Sequence, residues 1–109
     1  MAKYEKFVKG QFHEIVERTQ NLMENNGMKL YEKIDNKLDG NEIAIMTYKK
    51  FHLRNLSRAV LNLTFVGSGD ITYVTAIICD DGQGIILDYD NGAEEDMLSF
   101  VKEIMEQMK

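Results

Sequence analysis

A change in the spacing of apolar residues at Gly27 constrains the fold of this chain more than any other feature of its sequence. From Phe12 to Met23 the apolar residues recur at the i, i+3, i+4 and i+7 positions of an amphipathic helix. After Gly27 they alternate with polar residues for roughly sixty residues, which is the period of a β-strand. Asn25-Asn26-Gly27 marks the boundary, because asparagine and glycine accept the left-handed conformation that closes helices. The sequence therefore predicts one helix followed by a series of strands.

Short turns divide the alternating region into five predicted strands. The turn signals are Asp39-Gly40-Asn41, Arg54 to Leu56, Gly67-Ser68-Gly69-Asp70, and Asp80 to Gly84. The strands between them run from Met28 to Ile34, Ile43 to Leu53, Arg58 to Phe65, Ile71 to Cys79, and Ile85 to Asp90. Strands that are joined by turns this short pair antiparallel with their neighbours, so we expect a meander.

A second helical stripe near the end of the chain completes the expected fold. Its apolar positions are Met97, Leu98, Val101, Ile104, Met105 and Met108. The segment from Tyr4 to Lys9 alternates only in part, so a first strand there is left open. The predicted fold is a single α+β domain over residues 1–109, with an antiparallel meander sheet of five to six strands covered by an N-terminal and a C-terminal helix. The order (β)-α-β-β-β-β-β-α is that of a reduced helix-grip-like arrangement.

The composition is that of an ordinary globular domain. Hydrophobic residues make up 44% of the 109 residues and charged residues 28%, which argues against a disordered chain. No apolar run approaches the ~20 residues of a membrane span, and the segment that begins at Met1 lacks the apolar core of a signal peptide. Cys79 is the only cysteine, so an internal disulfide is excluded. We expect a cytoplasmic protein that does not contact a membrane.

The net charge of −5 is distributed unevenly along the chain. Residues 43–67 carry four basic side chains and no acid, whereas residues 68–109 carry ten acids and two lysines. Such polarity can steer association with a partner or with another copy of the chain. The basic stretch from Lys49 to Arg58 includes Phe51 and His52, a mixture found on single-strand nucleic-acid surfaces. Because the protein is acidic overall and has no stacking motif, we expect a solvated hairpin edge and no nucleic-acid partner.

Several short stretches resemble those of a known family. They are Lys3-Tyr4-Glu5 and Val8-Lys9-Gly10 before the first helix, Leu61 to Gly69, Val74-Thr75-Ala76-Ile77, and Glu94-Glu95 at the start of the last helix. On these stretches the sequence is similar, over most of its length, to a family of short, uncharacterised proteins of Gram-positive bacteria, a domain of unknown function. The resemblance implies a bacterial cytoplasmic protein. It implies nothing about a substrate, because none of the stretches is a catalytic motif.

Three motif-like stretches fail the structural context that their chemistry needs. Gly67-Ser68-Gly69 precedes a strand and not a helix, so we interpret it as a tight hairpin turn and not as a phosphate loop. Cys79 precedes two aspartates, which disfavour the reactive thiolate, and neither His13 nor His52 has a recognisable partner. We therefore expect Cys79 to be buried as a small apolar residue and predict no catalytic residue, which leaves an enzyme as the third alternative.

An acidic set near the last predicted strand offers oxygen atoms to a cation. Its members are Asp80, Asp81, Asp88, Asp90, Asn91, Glu94 and Glu95. Asp88-x-Asp90 begins like a calcium loop, but Gly92 stands at its fifth position and Ser99 at its twelfth, where the loop needs a glutamate. We predict no metal site and no cofactor. Whether Asp80, Asp81, Asp88 and Asp90 bind a cation is left open.

Two functions from different classes remain. The first is a non-enzymatic binding or self-association domain, with a homodimer as the expected assembly, that uses a sheet edge or a second, partly apolar sheet face. We expect that face to carry Tyr31, Met46, Tyr48, Val60, Val66, Val74 and Ile78. The alternative is a carrier of a small hydrophobic ligand in a cavity between the C-terminal helix and the sheet. Its predicted ligand-binding residues are Met97, Val101, Ile104 and Met105, since methionine suits adaptable apolar contacts.

Overall fold

Five strands and two helices form the part of the chain that a computed structural model describes, residues 2–52, 57–80 and 92–107. In chain order they are β1 (Ala2–Lys9), α1 (Phe12–Asn25), β2 (Lys29–Leu38), β3 (Asn41–His52), β4 (Ser57–Ser68), β5 (Ile71–Asp80) and α2 (Gly92–Gln107). The predicted α+β class is confirmed, and the N-terminal segment is a strand. The strand predicted from Ile85 to Asp90 and the turn from Arg54 to Leu56 lie outside the described residues.

The strands form one antiparallel sheet in the order β1-β5-β4-β3-β2. The strands from β2 to β5 follow each other as the predicted meander, whereas β1 pairs with β5 at one edge. The chain passes from β1 at that edge to β2 at the other edge through α1. Both helices pack on the same face of the sheet, α1 against β2, β4 and β5, and α2 against β1, β4 and β5. No helix among the described residues is long and apolar enough to cross a membrane.

The end of α1 follows from the Asn-Asn-Gly signal. The amide of Gly27 donates to the carbonyl of Glu24 and the amide of Met28 donates to that of Met23, both at 3.1 Å, which is the Schellman pattern. Gly27 has φ +86°, a conformation that only glycine adopts without strain. Met23 and Met28 are both buried, so the motif also carries its usual apolar contact.

Two hairpin turns set the register of the meander. Asp39 and Gly40 have φ values of +55° and +82°, the positive angles of a type I′ turn, and they join β2 to β3. The predicted turn after Gly67 is confirmed in a shorter form, since Ser68 pairs with Ile71 and only Gly69-Asp70 loops between them. Gly67 itself belongs to β4.

The core lies between the helices and one face of the sheet. In the central strands it is built from Ala44, Met46 and Tyr48 of β3, from Leu61, Leu63 and Phe65 of β4, and from Val74, Ala76 and Ile78 of β5. These residues share a face because the register pairs Tyr48 with Leu61, and Leu61 with Ile78. The helices add Phe12, Ile15, Val16, Thr19 and Met23 from α1 and Val101, Ile104 and Met105 from α2.

The expected membership of the second sheet face was wrong in part. Met46, Tyr48, Val74 and Ile78 lie in the core, and each is at most 1% exposed. Alternation shows which residues of one strand share a face, but only the pairing between strands shows which of these sets the helices cover. Tyr31, Val60 and Val66 lie outside the core as expected.

Candidate functional site

The sheet face that neither helix covers, which we call the open face, is the most distinctive surface of the described chain. It carries alternate residues of every strand: Lys3, Glu5, Phe7 and Lys9 of β1, Ile71, Tyr73, Thr75, Ile77 and Cys79 of β5, Val60, Asn62, Thr64, Val66 and Ser68 of β4, Ile43, Ile45, Thr47 and Lys49 of β3, and Glu32, Ile34, Asn36 and Leu38 of β2. None of these residues belongs to the buried core.

One row of apolar side chains crosses four strands of the open face. The register places Phe7 of β1 beside Tyr73 of β5, Tyr73 beside Val66 of β4, and Val66 beside Ile43 of β3. The rings of Phe7 and Tyr73 lie 4.9 Å apart and are inclined by 47°, and Phe7 is 69% exposed. Large apolar side chains in an unbroken row are unusual on a surface that only water contacts.

The next row continues the apolar region on the β2 side. Ile45 of β3 pairs with Ile34 of β2, which is 46% exposed. Thr64 and Thr75 extend the same row through β4 and β5 to Glu5 of β1. In these two rows the side of the open face on β1 and β5, the aromatic half, carries Phe7 and Tyr73, and the side on β3 and β2, the isoleucine half, carries Ile43, Ile45 and Ile34. Asn36 of β2 ends the row of Val66.

Polar contacts lie at the border of the apolar region and beyond it. The hydroxyl of Tyr73 donates to Oε1 of Glu5. The amide of Asn62 donates to the hydroxyl of Thr47 at 3.5 Å, and the hydroxyl of Thr64 donates to Oδ1 of Asn62 at 3.1 Å. Protein interfaces likewise combine apolar contact with direct hydrogen bonds.

The outer edge of β2 has features that discourage pairing with another strand. Lys33, Asp35 and Lys37 point to the helix side of the sheet, since they pair with Met46, Ala44 and Glu42, yet all three are exposed. A register shift between Leu30 and Glu32 marks a bulge in the same strand. Inward-pointing charges and bulges are devices by which sheet edges avoid association.

The predicted ligand-binding residues of α2 contribute to the core. Val101 and Met105 are fully buried and Ile104 is 3% exposed, all within the cluster that joins the helices to the sheet. Met97 lies in α2, but its side chain is outside what the structure describes. The function as a carrier of a hydrophobic ligand stays a prediction.

A groove of about 300 Å³ lies elsewhere, between the start of α1 and the β2–β3 hairpin. Five of its seven lining residues are of polar type: Phe12, His13, Asp35, Asn36, Lys37, Glu42 and Ile43 line it. Nε2 of His13 lies 2.8 Å from Oε1 of Glu42, so this pair ties the start of α1 to β3. Charges of both signs line the groove, which does not suit the apolar ligand predicted from the sequence.

Among the residues that the structure describes, the remaining sequence candidates do not assemble into a reactive site. The expected burial of Cys79 was wrong: it is exposed, because its pairing with Val60 places it on the open face near the end of β5. His13 is in α1 on the opposite side of the sheet, and the side chain of His52 is not described. Asp80 ends β5, whereas Asp81, Asp88 and Asp90 fall outside the described ranges. Within those ranges no three His, Cys, Asp or Glu residues form a metal-binding group.

Comparison with known proteins places the chain in a family without assigning an activity. The model of a family described as a family of unknown function (DUF6054) matches residues 1–109. The predicted resemblance to an uncharacterised family is thereby confirmed, whereas an origin in Gram-positive bacteria stays a prediction. No curated protein matches the chain, and no solved structure matches it.

Proposed function

We propose that this chain, which belongs to the DUF6054 family of unknown function, is a non-enzymatic binding domain. Its open face docks a protein partner. The observation that carries the proposal is the row formed by Phe7, Tyr73, Val66 and Ile43, which lies on the side of the sheet away from both helices. Burial of apolar area is the main favourable term in protein association.

The shape and composition of the open face favour a protein over a small molecule. Side chains on a sheet stand as parallel rows, whereas sites for small ligands are concave. Aromatic residues are enriched at the centres of protein interfaces, and here Phe7 and Tyr73 stand side by side. Within the sheet, the face is also a better docking surface than the β2 edge, where Lys33 and Asp35 oppose strand addition.

Site-specific photo-crosslinking in cells tests the proposal. A photoreactive amino acid at Val66, in the middle of the apolar row, should give adducts of one defined mass. The same amino acid at Glu17, an exposed position of α1, serves as the control and should give none. Ile43→Lys, in the same row as Val66, should reduce the adduct at position 66. Equal labelling from both positions, or no adduct from position 66 in a folded chain, would contradict the proposal.

A further inference from the structure

The partner of the open face can be inferred from three properties of that face. We infer that it is a second copy of this chain, and that the two sheets pack face to face about a two-fold axis that runs parallel to β4. The inference rests on the proposed function, because it names the occupant of the same surface. It is carried by the size of the face, by the arrangement of its aromatic and isoleucine halves, and by its charges.

The size of the face is that of one side of a standard protein interface. Five strands about 4.8 Å apart and five rows of side chains about 6.8 Å apart cover roughly 800 Å². A stable interface of standard size buries about 800 Å² on each partner. Two copies of the open face therefore bury the area that a specific dimer needs, with the sheets ~10 Å apart as in a β-sandwich.

The two halves of the face are complementary to each other. An axis parallel to β4, the central strand, places β1 and β5 of one copy over β2 and β3 of the other. Within the row of Val66, Tyr73 of one copy then lies over Ile43 of the other and Phe7 over Asn36, with Ile45 and Ile34 of the isoleucine half in the adjacent row. Because the operation is two-fold, this contact occurs twice, as in any isologous dimer.

The charges of the face favour the same axis. The axis parallel to β4 brings the β1 edge of one copy over the β2 edge of the other. Lys3 on the first edge then lies over Glu32 on the second, because both belong to one row of the sheet. An axis perpendicular to the strands and centred on the row of Thr64 and Thr75 would instead place β1 over β1. That arrangement faces Glu5 with the Glu5 of the second copy, and opposing like charges suppress an association.

Sedimentation equilibrium tests whether the chain forms the dimer. The wild-type chain should be a dimer from low to high micromolar concentration. Val66→Asp places two like charges next to the axis and should raise the dissociation constant about a hundredfold or more. Ile45→Lys should act in the same direction. Asn21→Asp, which adds the same charge to an exposed position of α1, is the matched control and should leave the dimer intact. Circular dichroism of every variant establishes that it is folded.

Cross-linking between single cysteines tests the direction of the axis. In a Cys79→Ser background, Phe7→Cys chains mixed with Asn36→Cys chains should be joined by a short bis-maleimide, since β1 lies over β2 of the second copy and both residues belong to one row. Neither variant alone should cross-link, because the β1 strands of the two copies lie about 20 Å apart across the sheet width. Cross-linking of Phe7→Cys with itself would overturn the proposed axis.

The failure of this inference is distinguishable from the failure of the proposed function. A wild-type chain that stays monomeric at all concentrations, or a dimer that persists in Val66→Asp, would overturn the inference of a second copy. If the photoreactive group at Val66 then still captured one other protein, the open face would remain a binding surface. A monomer without any adduct at that position would overturn both.

Discussion

Phe12 lies directly over Gly67. A Cβ atom built on Gly67 would stand 2.6 Å from Cδ1 and 2.7 Å from Cβ of Phe12, well inside van der Waals contact. The backbone of Gly67 is ordinary β-strand, so the glycine is needed here for space and not for a special conformation. Phe12, the first residue of α1, therefore packs directly on β4, because Gly67 has no side chain.

Replacement of Gly67 by alanine should destabilise the protein by about 1–3 kcal/mol, because the new methyl group overpacks the core against Phe12. Urea unfolding followed by circular dichroism measures the change, with the exposed Ser68→Ala as control. Phe12→Leu should relieve part of the penalty, so the two substitutions should not be additive. A variant Gly67→Ala as stable as the wild type would show that Phe12 moves freely.

Gly27 should respond to substitution for a different reason. Nothing lies within 4 Å of a Cβ atom built there, and φ is +86°, so its replacement carries only a conformational penalty. Gly27→Ala should lower the free energy of unfolding by about 1 kcal/mol, and Gly27→Asn by less, since asparagine tolerates the left-handed region. At Gly67 the order should be reversed, because there the larger asparagine overlaps more with Phe12. Equal effects of alanine and asparagine at Gly27 would contradict this explanation.

Tyr48 should make stability fall in alkaline solution. Burial raises the pKa of Tyr48 to about 12, and the carboxylate of Glu24 contributes to the same shift. Since the folded-state pKa lies above the ordinary value of 10.0, the unfolded chain releases this proton first. The contribution of Tyr48 to stability is therefore fully present below pH 10 and is lost as the pH rises toward about 12.

The variant Tyr48→Phe isolates this contribution. Its free energy of unfolding should fall less steeply than that of the wild type over the alkaline range, when both are measured by urea titration at a series of pH values. Tyr31→Phe, which removes an exposed phenol, is the control. If the free energy of unfolding falls equally steeply with pH in Tyr48→Phe and in the wild type, the alkaline loss of stability comes from other groups.

Met105 tests whether the interface between α2 and the sheet is core or ligand site. Met105→Ala should destabilise the fold by about 2–5 kcal/mol, because a fully buried side chain leaves a cavity. Glu103→Ala, on the exposed side of α2, should change stability by less than about 0.5 kcal/mol. Fatty acids should not raise the Tm of the wild-type chain. If they do, the carrier function predicted from Met97, Val101, Ile104 and Met105 becomes the better proposal.

The local elements could be predicted from the sequence because each has a local cause. The stripe from Phe12 to Met23 and the Asn-Asn-Gly closure both act within one helix, and the two-residue turn at Asp39-Gly40 needs only its own backbone angles. The positions of α1, of the β2–β3 turn and of α2 follow from such signals. No long-range contact is needed to recognise them.

The buried face could not be assigned correctly without the pairing of strands. Ser68 pairs with Ile71, and from this register it follows that Phe65 faces Val74 and Leu63 faces Ala76. A strict two-residue turn at Gly69-Asp70 was the signal that could have placed Val74 and Ile78 in the core. The wider turn predicted from Gly67 to Asp70 does not define the register between β4 and β5. A shift of that register by one residue exchanges the two faces of the sheet.

The apolar row of the open face was missed for a related reason. Phe7 and Tyr73 meet only because β1 pairs with β5, and nothing in the sequence near either residue specifies that pairing. Only Val66, of the four residues in the row, was among those expected on the second face. The candidate site therefore depended on a contact between distant parts of the chain.

The pairing of β1 with β5 also has a consequence for how the chain acquires its structure. β1 is completed at Lys9, but its partner β5 begins only at Ile71, after α1 and the strands from β2 to β4. Until then β1 has no neighbour in the sheet, and closing so long a loop is entropically unfavourable and slows folding. We therefore expect the hairpins to assemble first and β1 to join the sheet last.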